Sequence, residues 1–410
     1  EWESKGYELP KYDIKAVAAK THEEPTWVHF GAGNIFRAFT AAVLNDVLNS
    51  GKYDRGIVVA ETFDYEIIDK AYAPYENLSL LVSLKSTGDI EKKVIGSVVE
   101  SLKADYQFEE HWGRLVEIFR KPSLQMISFT ITEKGYGVAP HDLERGMKPV
   151  LAMGKVAVLL YERYLAGQLP LTIQSMDNCS HNGDKLKEAV GGFAQAWSDA
   201  GLTDAGFAAY VLESGKVSFP WSMIDKITPG PDASVSAMLE ADGLEAGTPF
   251  VNAEESEYLV IEDNFPNGRP ALEKAGIYFT ARETVDQVER MKVCTCLNPL
   301  HTTLAVYGCL LGFDRIWKEM QDEDLNKLVN VIGYKEGLPV VTDPGIIKPI
   351  DFINTVVNVR IPNPFLPDTP QRIATDTSQK LSIRFGETIK AYMESETLNV
   401  SDLKLIPMVH

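Results

Sequence analysis

Cysteine is scarce in this chain: among 410 residues there are four, Cys179, Cys294, Cys296 and Cys309, unevenly spaced. A disulfide-stapled fold is thereby excluded, and a reducing cytoplasm fits. Cys294, Cys296 and His301 lie close together. A C-x-C within one apolar segment nevertheless lacks the C-x2-C spacing and second ligand pair of a zinc site, so no metal is expected. Basic charge is also short, with 40 Lys and Arg against 58 Asp and Glu and a formal charge of -18. That balance argues against nonspecific binding to nucleic acid or to an anionic membrane, both of which need a basic surface. An anionic small molecule stays possible wherever a few basic residues converge. No apolar run reaches the ~18 residues of a membrane span, no signal-peptide pattern opens the chain, and internal repeats and low-complexity tracts are absent. The chain begins at Glu1 rather than at a methionine and stops abruptly at His410, so both ends are expected to be incomplete.

What is present is a mixture typical of globular proteins, 45% hydrophobic and 24% charged. At about 150 residues per domain the length implies two or three domains. Residues 26–30 read as a short buried strand, followed at once by Gly31, Ala32, Gly33, Asn34, Ile35, Phe36 and Arg37, then by a helical run over 38–48. Strand, glycine turn and helix is the context in which backbone amides can meet a pyrophosphate at a helix N-terminus. Phe36 stands where the fingerprint has its third glycine, so the motif is imperfect. A second strand, 56–60, ends in Glu61, whose carboxylate suits a ribose diol and would repel a 2′-phosphate, favouring NAD over NADP. Strands are further expected at 80–84, 90–99, 125–132, 171–175 and 258–263, with helices at 109–119 and 147–165 and a loop-rich section to about 255. This alternation predicts an α/β domain, a parallel sheet with helices on both faces and ligands at the strands' carboxyl ends. Polar clusters fall there: Thr132 and Glu133, then Asn178 and Asn182. Both asparagines are candidates for substrate binding, since a carboxamide can donate to a substrate oxygen; Asn182 has a competing role as the N-cap of the helix from Asp184 onward, which favours Asn178. From Thr284 helical periods dominate, placing a domain boundary near Ala281, with domains 1–280 and 281–410.

The second domain opens with the stretch 289–313, which gathers Lys292, Asn298 and His301 in almost wholly apolar surroundings. Asn298 and His301, three apart, share a helix face, whereas Lys292 and Asn298, six apart, are out of phase unless the helix is locally irregular. A lysine in such surroundings is a candidate general acid and base. A plain core helix with a satisfied Asn and His explains the stretch equally well. Further on, a run over 371–384 follows a proline-rich segment; as one helix it would line up Arg372, Asp376 and Lys380.

Seven stretches, HFGAGNIFRAF, TITEKGY, SMDNCSHNG, FPWSMIDKITP, YLVIEDNFPNGRP, ERMKVCTCLNPLH and NPFLPDTPQRIATDTSQK, occur in this order along nearly the whole chain. In them the sequence resembles the polyol-specific long-chain dehydrogenases, the family of mannitol dehydrogenase and the hexuronate reductases. The resemblance implies a Rossmann-type doubly wound N-terminal domain that binds NAD, a mostly α-helical C-terminal domain, an active site between them and no metal. Carried over by position, it makes Lys292 the acid/base, Asn298 and an asparagine of the SMDN segment the oxyanion site, and His301 a substrate-orienting group. Arg372, Lys380 and Asp225 match substrate positions, and Glu289 a proton-relay carboxylate. Mannitol-type members have one residue fewer between the lysine and the asparagine, so a π-bulge or small shift is expected here. The family also continues beyond the position of His410, which makes this chain look truncated.

The L-N-P-L-H variant and the NPFLPDTPQRIATD run resemble the hexuronate reductases that interconvert D-fructuronate and D-mannonate more than the mannitol enzymes. Arg372 and Lys380 would then face the uronate carboxylate. A tagaturonate reductase or polyol 2-dehydrogenase is the alternative within the family, and a non-catalytic NAD-binding sensor the alternative outside it. The expected partner is a small sugar acid or polyol, with no nucleic acid and no membrane; monomer and small homo-oligomer remain open.

Overall fold

The computed structural model describes residues 1–410. They divide into two compact units. The first comprises Glu1–Val82, Glu91–Ala253 and Glu257–Arg282; the second comprises Ser83–Ile90, Glu254–Ser256 and Glu283–His410. The second unit is therefore not one contiguous piece of chain, because it takes in two short segments from the N-terminal side of Ala281.

The first unit is built on a six-stranded parallel sheet of β1 (Trp27–Phe30), β2 (Ile57–Glu61), β3 (Val98–Lys103), β4 (Met126–Phe129), β5 (Leu171–Ser175) and β6 (Val217–Ser218). Their spatial order is β3-β2-β1-β4-β5-β6, that of a doubly wound dinucleotide-binding sheet. Strand period assigns the two faces. Val28, Phe30, Val58, Ala60, Ile127 and Phe129 enter one apolar core, while Trp27, Ile57, Val59 and Met126 enter another. Helix α1 (Ala41–Asn49) buries Val43, Leu44, Val47 and Leu48 in the second core. Helices α2 (Glu109–Phe119), α3 (Ala152–Leu165) and α4 (Asn182–Asp199) cover the first. A three-stranded sheet of β7 (Ser222–Asp225), β8 (Tyr258–Glu262) and β9 (Tyr278–Thr280) completes the strands that bear on the site.

Several sequence expectations shift in the structure. The stretch 90–99 is two strands, Ile90–Ile95 and the start of β3, parted at Gly96 and Ser97. There the Gly96 amide donates to Asn45 Oδ1 and the Ser97 hydroxyl donates to the Ala41 carbonyl. The helix expected from 147 starts only at Ala152, because the Asp142 carboxylate takes the amides of Val150 and Leu151 and holds them out of a helical ladder. The section read as loop-rich contains α5 (Ala233–Ala241), capped by Asp232 at the amides of Ser234 and Val235, and the strand Val251–Glu254. No helix is long and apolar enough to cross a membrane.

The second unit is helical. Its elements are α6 (Arg282–Met291), a π turn over Lys292–Cys296, α7 (Asn298–Leu311), α8 (Ile316–Glu319) and, after further short helices, α9 (Pro370–Ala374) and α10 (Thr377–Arg384). The single helix expected over 371–384 is thus two. Asp376 breaks it by adopting a left-handed conformation, φ 57°. Arg372, Asp376 and Lys380 therefore do not form an i, i+4, i+8 ladder.

Candidate active site

In the first unit the turn after β1 has a geometry that only glycine satisfies at its first position. Gly31 has φ 109°, and a Cβ there would lie 2.2 Å from the Thr130 carbonyl oxygen. A Cβ on Gly33 would meet nothing within 4 Å, so the backbone at that point is open to close approach. Helix begins at Asn34 and passes into a π turn over Phe36–Thr40. Phe36, where the fingerprint has glycine, is fully buried and stacks on His29 at 4.2 Å between ring centroids. Arg37 is buried, donates to Asn34 Oδ1, and keeps its Nε without a hydrogen-bond partner. A buried guanidinium N–H of this kind is costly unless an anion or another acceptor meets it, as a dinucleotide phosphate does. Ile35, on the same turn, lines a cavity described below.

Glu61 closes the turn from the neighbouring strand. One oxygen accepts from the Ala32 amide at 2.8 Å, and the other from Thr62 and Phe63 at 2.9 and 3.0 Å. The carboxylate is 8% exposed, so its ties to backbone fix the strand-end geometry as well as the local negative charge.

Beyond the ends of β4, β5 and β7 lies a cavity of about 360 Å³ lined by Ile35, Thr132, Glu133, Asn178 and Asp225 among others. Asp177 shapes it by accepting from the amides of Ile131 and Thr132 and from the Tyr136 hydroxyl. The strand expected to reach Thr132 ends at Phe129, and Thr132 itself has φ 65°. Asn182 is not in the cavity lining and not the N-cap, which is His181. Its carboxamide is enclosed: Nδ2 donates to the Asp177 carbonyl and Ser222 Oγ, and Oδ1 accepts from the Ser222 amide. The substrate-binding role expected of Asn182 is replaced by that of a clamp between two strand ends, while Asn178 lines the cavity.

In the second unit, Lys292 is 4% exposed and opens the π turn, whose Leu297 amide donates to the Lys292 carbonyl at 3.1 Å. The turn is one residue wider than an α turn, and Leu297, at φ -126° and ψ -64°, separates it from α7. Asn298 starts α7 with Pro299 behind it, and its Oδ1 is buried without a hydrogen-bond partner. His301, one turn on, has Nε2 3.8 Å from Asp368 Oδ2. Burial holds its imidazole below the ordinary value; Asp368 opposes this, and Arg360, Arg384 and Arg372 reinforce it. The neutral ring can accept or donate without carrying charge. Glu289 lies one turn before Lys292 on α6, half-buried.

The expected cation pair is differently placed. Arg372 is exposed and pairs with Asp368, the residue before Thr369, which caps α9. Lys380 donates to the carbonyls of Ile373 and Thr375. The sequence reading missed Arg384 and Asp368. The first sits one turn after Lys380, a spacing that could have flagged it; the second lies in a proline-rich segment without periodicity.

A doubly wound sheet with a glycine turn and an acidic strand end is a dinucleotide-binding domain, and its family match makes the chain an NAD-dependent oxidoreductase acting on CH–OH groups. The chain belongs to the mannitol dehydrogenase family: residues 25–274 match the mannitol dehydrogenase Rossmann domain and residues 284–406 the mannitol dehydrogenase C-terminal domain. It is 53% identical to the D-mannonate oxidoreductase of Thermotoga maritima over 432 aligned positions, covering 100% of this chain and 79% of that protein. Among solved structures, a substrate-free D-sorbitol dehydrogenase superposes with a TM-score of 0.83 at 28% identity, covering 95% of this chain and 79% of the other. Pseudomonas fluorescens mannitol 2-dehydrogenase, in a ternary complex with NAD and D-mannitol, gives 0.76 at 27% identity, covering 98% and 80%.

Proposed function

We propose that this enzyme interconverts the ketohexuronate D-fructuronate and the hexonate D-mannonate with NADH and NAD. The observation that carries the reading is the 53% identity, along the full chain, to a D-mannonate oxidoreductase. When bound, the nicotinamide supplies or accepts the hydride. Gly31, Ala32, Gly33, Asn34 and Arg37 would hold the pyrophosphate, with Glu61 at the ribose end, and Thr132 and Glu133 near the nicotinamide end.

In reduction, Lys292 as ammonium gives its proton to the substrate carbonyl oxygen while the carboxamides of Asn298 and Asn178 donate to the developing alkoxide. In oxidation the neutral amine takes the hydroxyl proton. His301, neutral, orients a substrate hydroxyl. Asp225, Arg372 and Lys380 contact the remainder of the sugar, and Glu289 exchanges the lysine's proton with solvent. The same reading puts the enzyme in the cytoplasm.

Two measurements test this. NADH oxidation is followed with D-fructuronate, D-tagaturonate and D-fructose: fructuronate is expected to be the best substrate. A preference for tagaturonate or fructose moves the enzyme to a tagaturonate reductase or a polyol 2-dehydrogenase, and turnover of none makes it a non-catalytic NAD sensor. Lys292→Ala is expected to lower kcat by about 10³-fold or more while the NADH dissociation constant stays near wild type; substantial retained turnover counts against the lysine.

A further inference from the structure

The cations of the second unit are not equivalent. Arg360 is buried and held by both oxygens of Glu254, at 3.0 and 2.9 Å. Arg372 pairs with Asp368 and points into solvent. Lys380 spends two donors on backbone carbonyls. Arg384 has no carboxylate partner. Its one hydrogen bond runs from Nη1 to Thr302 Oγ1 at 2.5 Å, which fixes the guanidinium beside the residue that follows His301 on α7. The remaining donors of a five-donor fork are uncommitted. Its charge is felt at both His301 and Lys380, so the three groups form one electrostatic neighbourhood. Arg384 is thus a half-buried arginine without a counter-charge that lies close to His301 and Lys380.

We infer that Arg384 is the specificity-determining residue that binds the carboxylate of the sugar acid, through a bidentate pair set by its bond to Thr302. The inference rests on the proposed substrate class and goes beyond it by moving the carboxylate contact from Arg372 and Lys380 to Arg384. A planar guanidinium matches a carboxylate with two parallel N–H···O bonds, and half-burial makes such a pair stronger than one in open water. The C6 hydroxymethyl group of a neutral ketose cannot reproduce it.

D-fructuronate and D-fructose differ at C6 as carboxylate against hydroxymethyl, so the ratio of their kcat/KM values isolates the contact. In Arg384→Gln that ratio is expected to fall roughly 10- to 100-fold, almost wholly through a higher KM for fructuronate, with the NADH dissociation constant near wild type. Arg384→Lys, which keeps the charge and loses the fork, is expected to recover part of the loss. An unchanged ratio, or an equal fall in kcat for both substrates, overturns the assignment and leaves Arg384 a clamp on Thr302. If Arg384→Gln does not fold, Arg384→Lys decides alone: a several-fold rise in KM for fructuronate supports the contact, and an unchanged ratio overturns it. A wild-type enzyme inert towards uronates overturns the substrate reading itself and this inference with it; a wild type active on fructuronate alongside an unaffected variant overturns only the latter.

Discussion

Glu319, the last residue of α8, is completely enclosed, and neither carboxylate oxygen has a hydrogen-bond partner. It packs where a Cβ on Gly308 would strike Oε1 at 2.1 Å, which explains the glycine in the middle of α7. Burial pushes its carboxyl up to about 8 from an ordinary 4.5. The folded state therefore holds a proton that the unfolded chain has already lost over that interval. Stability contributed by the protonated form is complete below pH 4.5, declines as pH rises towards 8, and is gone above it. The melting temperature is expected to fall between pH 5 and pH 8, and Glu319→Gln, neutral at every pH, is expected to flatten that part of the profile. Parallel melting curves for the two proteins would remove Glu319 as the cause. At this scale sequence says little: nothing in I-W-K-E-M distinguishes an enclosed glutamate from the solvated one its type favours.

The π turn over Lys292–Cys296 shows what an element can absorb. A π-bulge is an α-helix with one residue inserted, and the ladder resumes in phase on either side. Removing one residue from it should convert the π turn over Lys292–Cys296 to regular helix and leave the break at Leu297 to take up the change in direction before α7. Deletion of Val293 is expected to leave a folded protein with a melting temperature within a few degrees of wild type. Deletion of Leu304, fully buried in α7, turns every later side chain by about 100° and is expected to abolish cooperative unfolding. Circular dichroism melts of the two variants provide the check; collapse of both would mean the π turn is itself required. The need for an irregularity was legible from the six-residue spacing of Lys292 and Asn298. The break at Asp376 was not, because a lone Asp inside a helical pattern gives no warning of a positive φ.

At the level of the molecule, the second unit depends on residues far apart in the chain. Glu254 is 1% exposed and its carboxylate meets Arg360, 3% exposed, while Asn363 donates to the Leu84 carbonyl. A boundary drawn once near Ala281 misses this, since composition along the chain carries no trace of which segment a later helix captures. Arg360→Ala removes the guanidinium that holds a buried carboxylate at both oxygens and is expected to cost about 3–5 kcal/mol of stability. Denaturant unfolding measures it, and a loss within error would show that Glu254 finds another partner or solvent.

The sequence by itself determined the doubly wound sheet, since runs of buried strand between helical periods admit few other arrangements. It determined the glycine turn with Glu61, and the segment bearing Lys292, Asn298 and His301, because these are local patterns of spacing and polarity. The tertiary structure replaced the N-cap argument for preferring Asn178: Asn178 lines the cavity, and Asn182 ties Asp177 to Ser222. Only it decided which arginines already have a carboxylate and which do not. Charge pairing depends on the packing of segments distant in sequence, and that information lies in no single stretch of the chain.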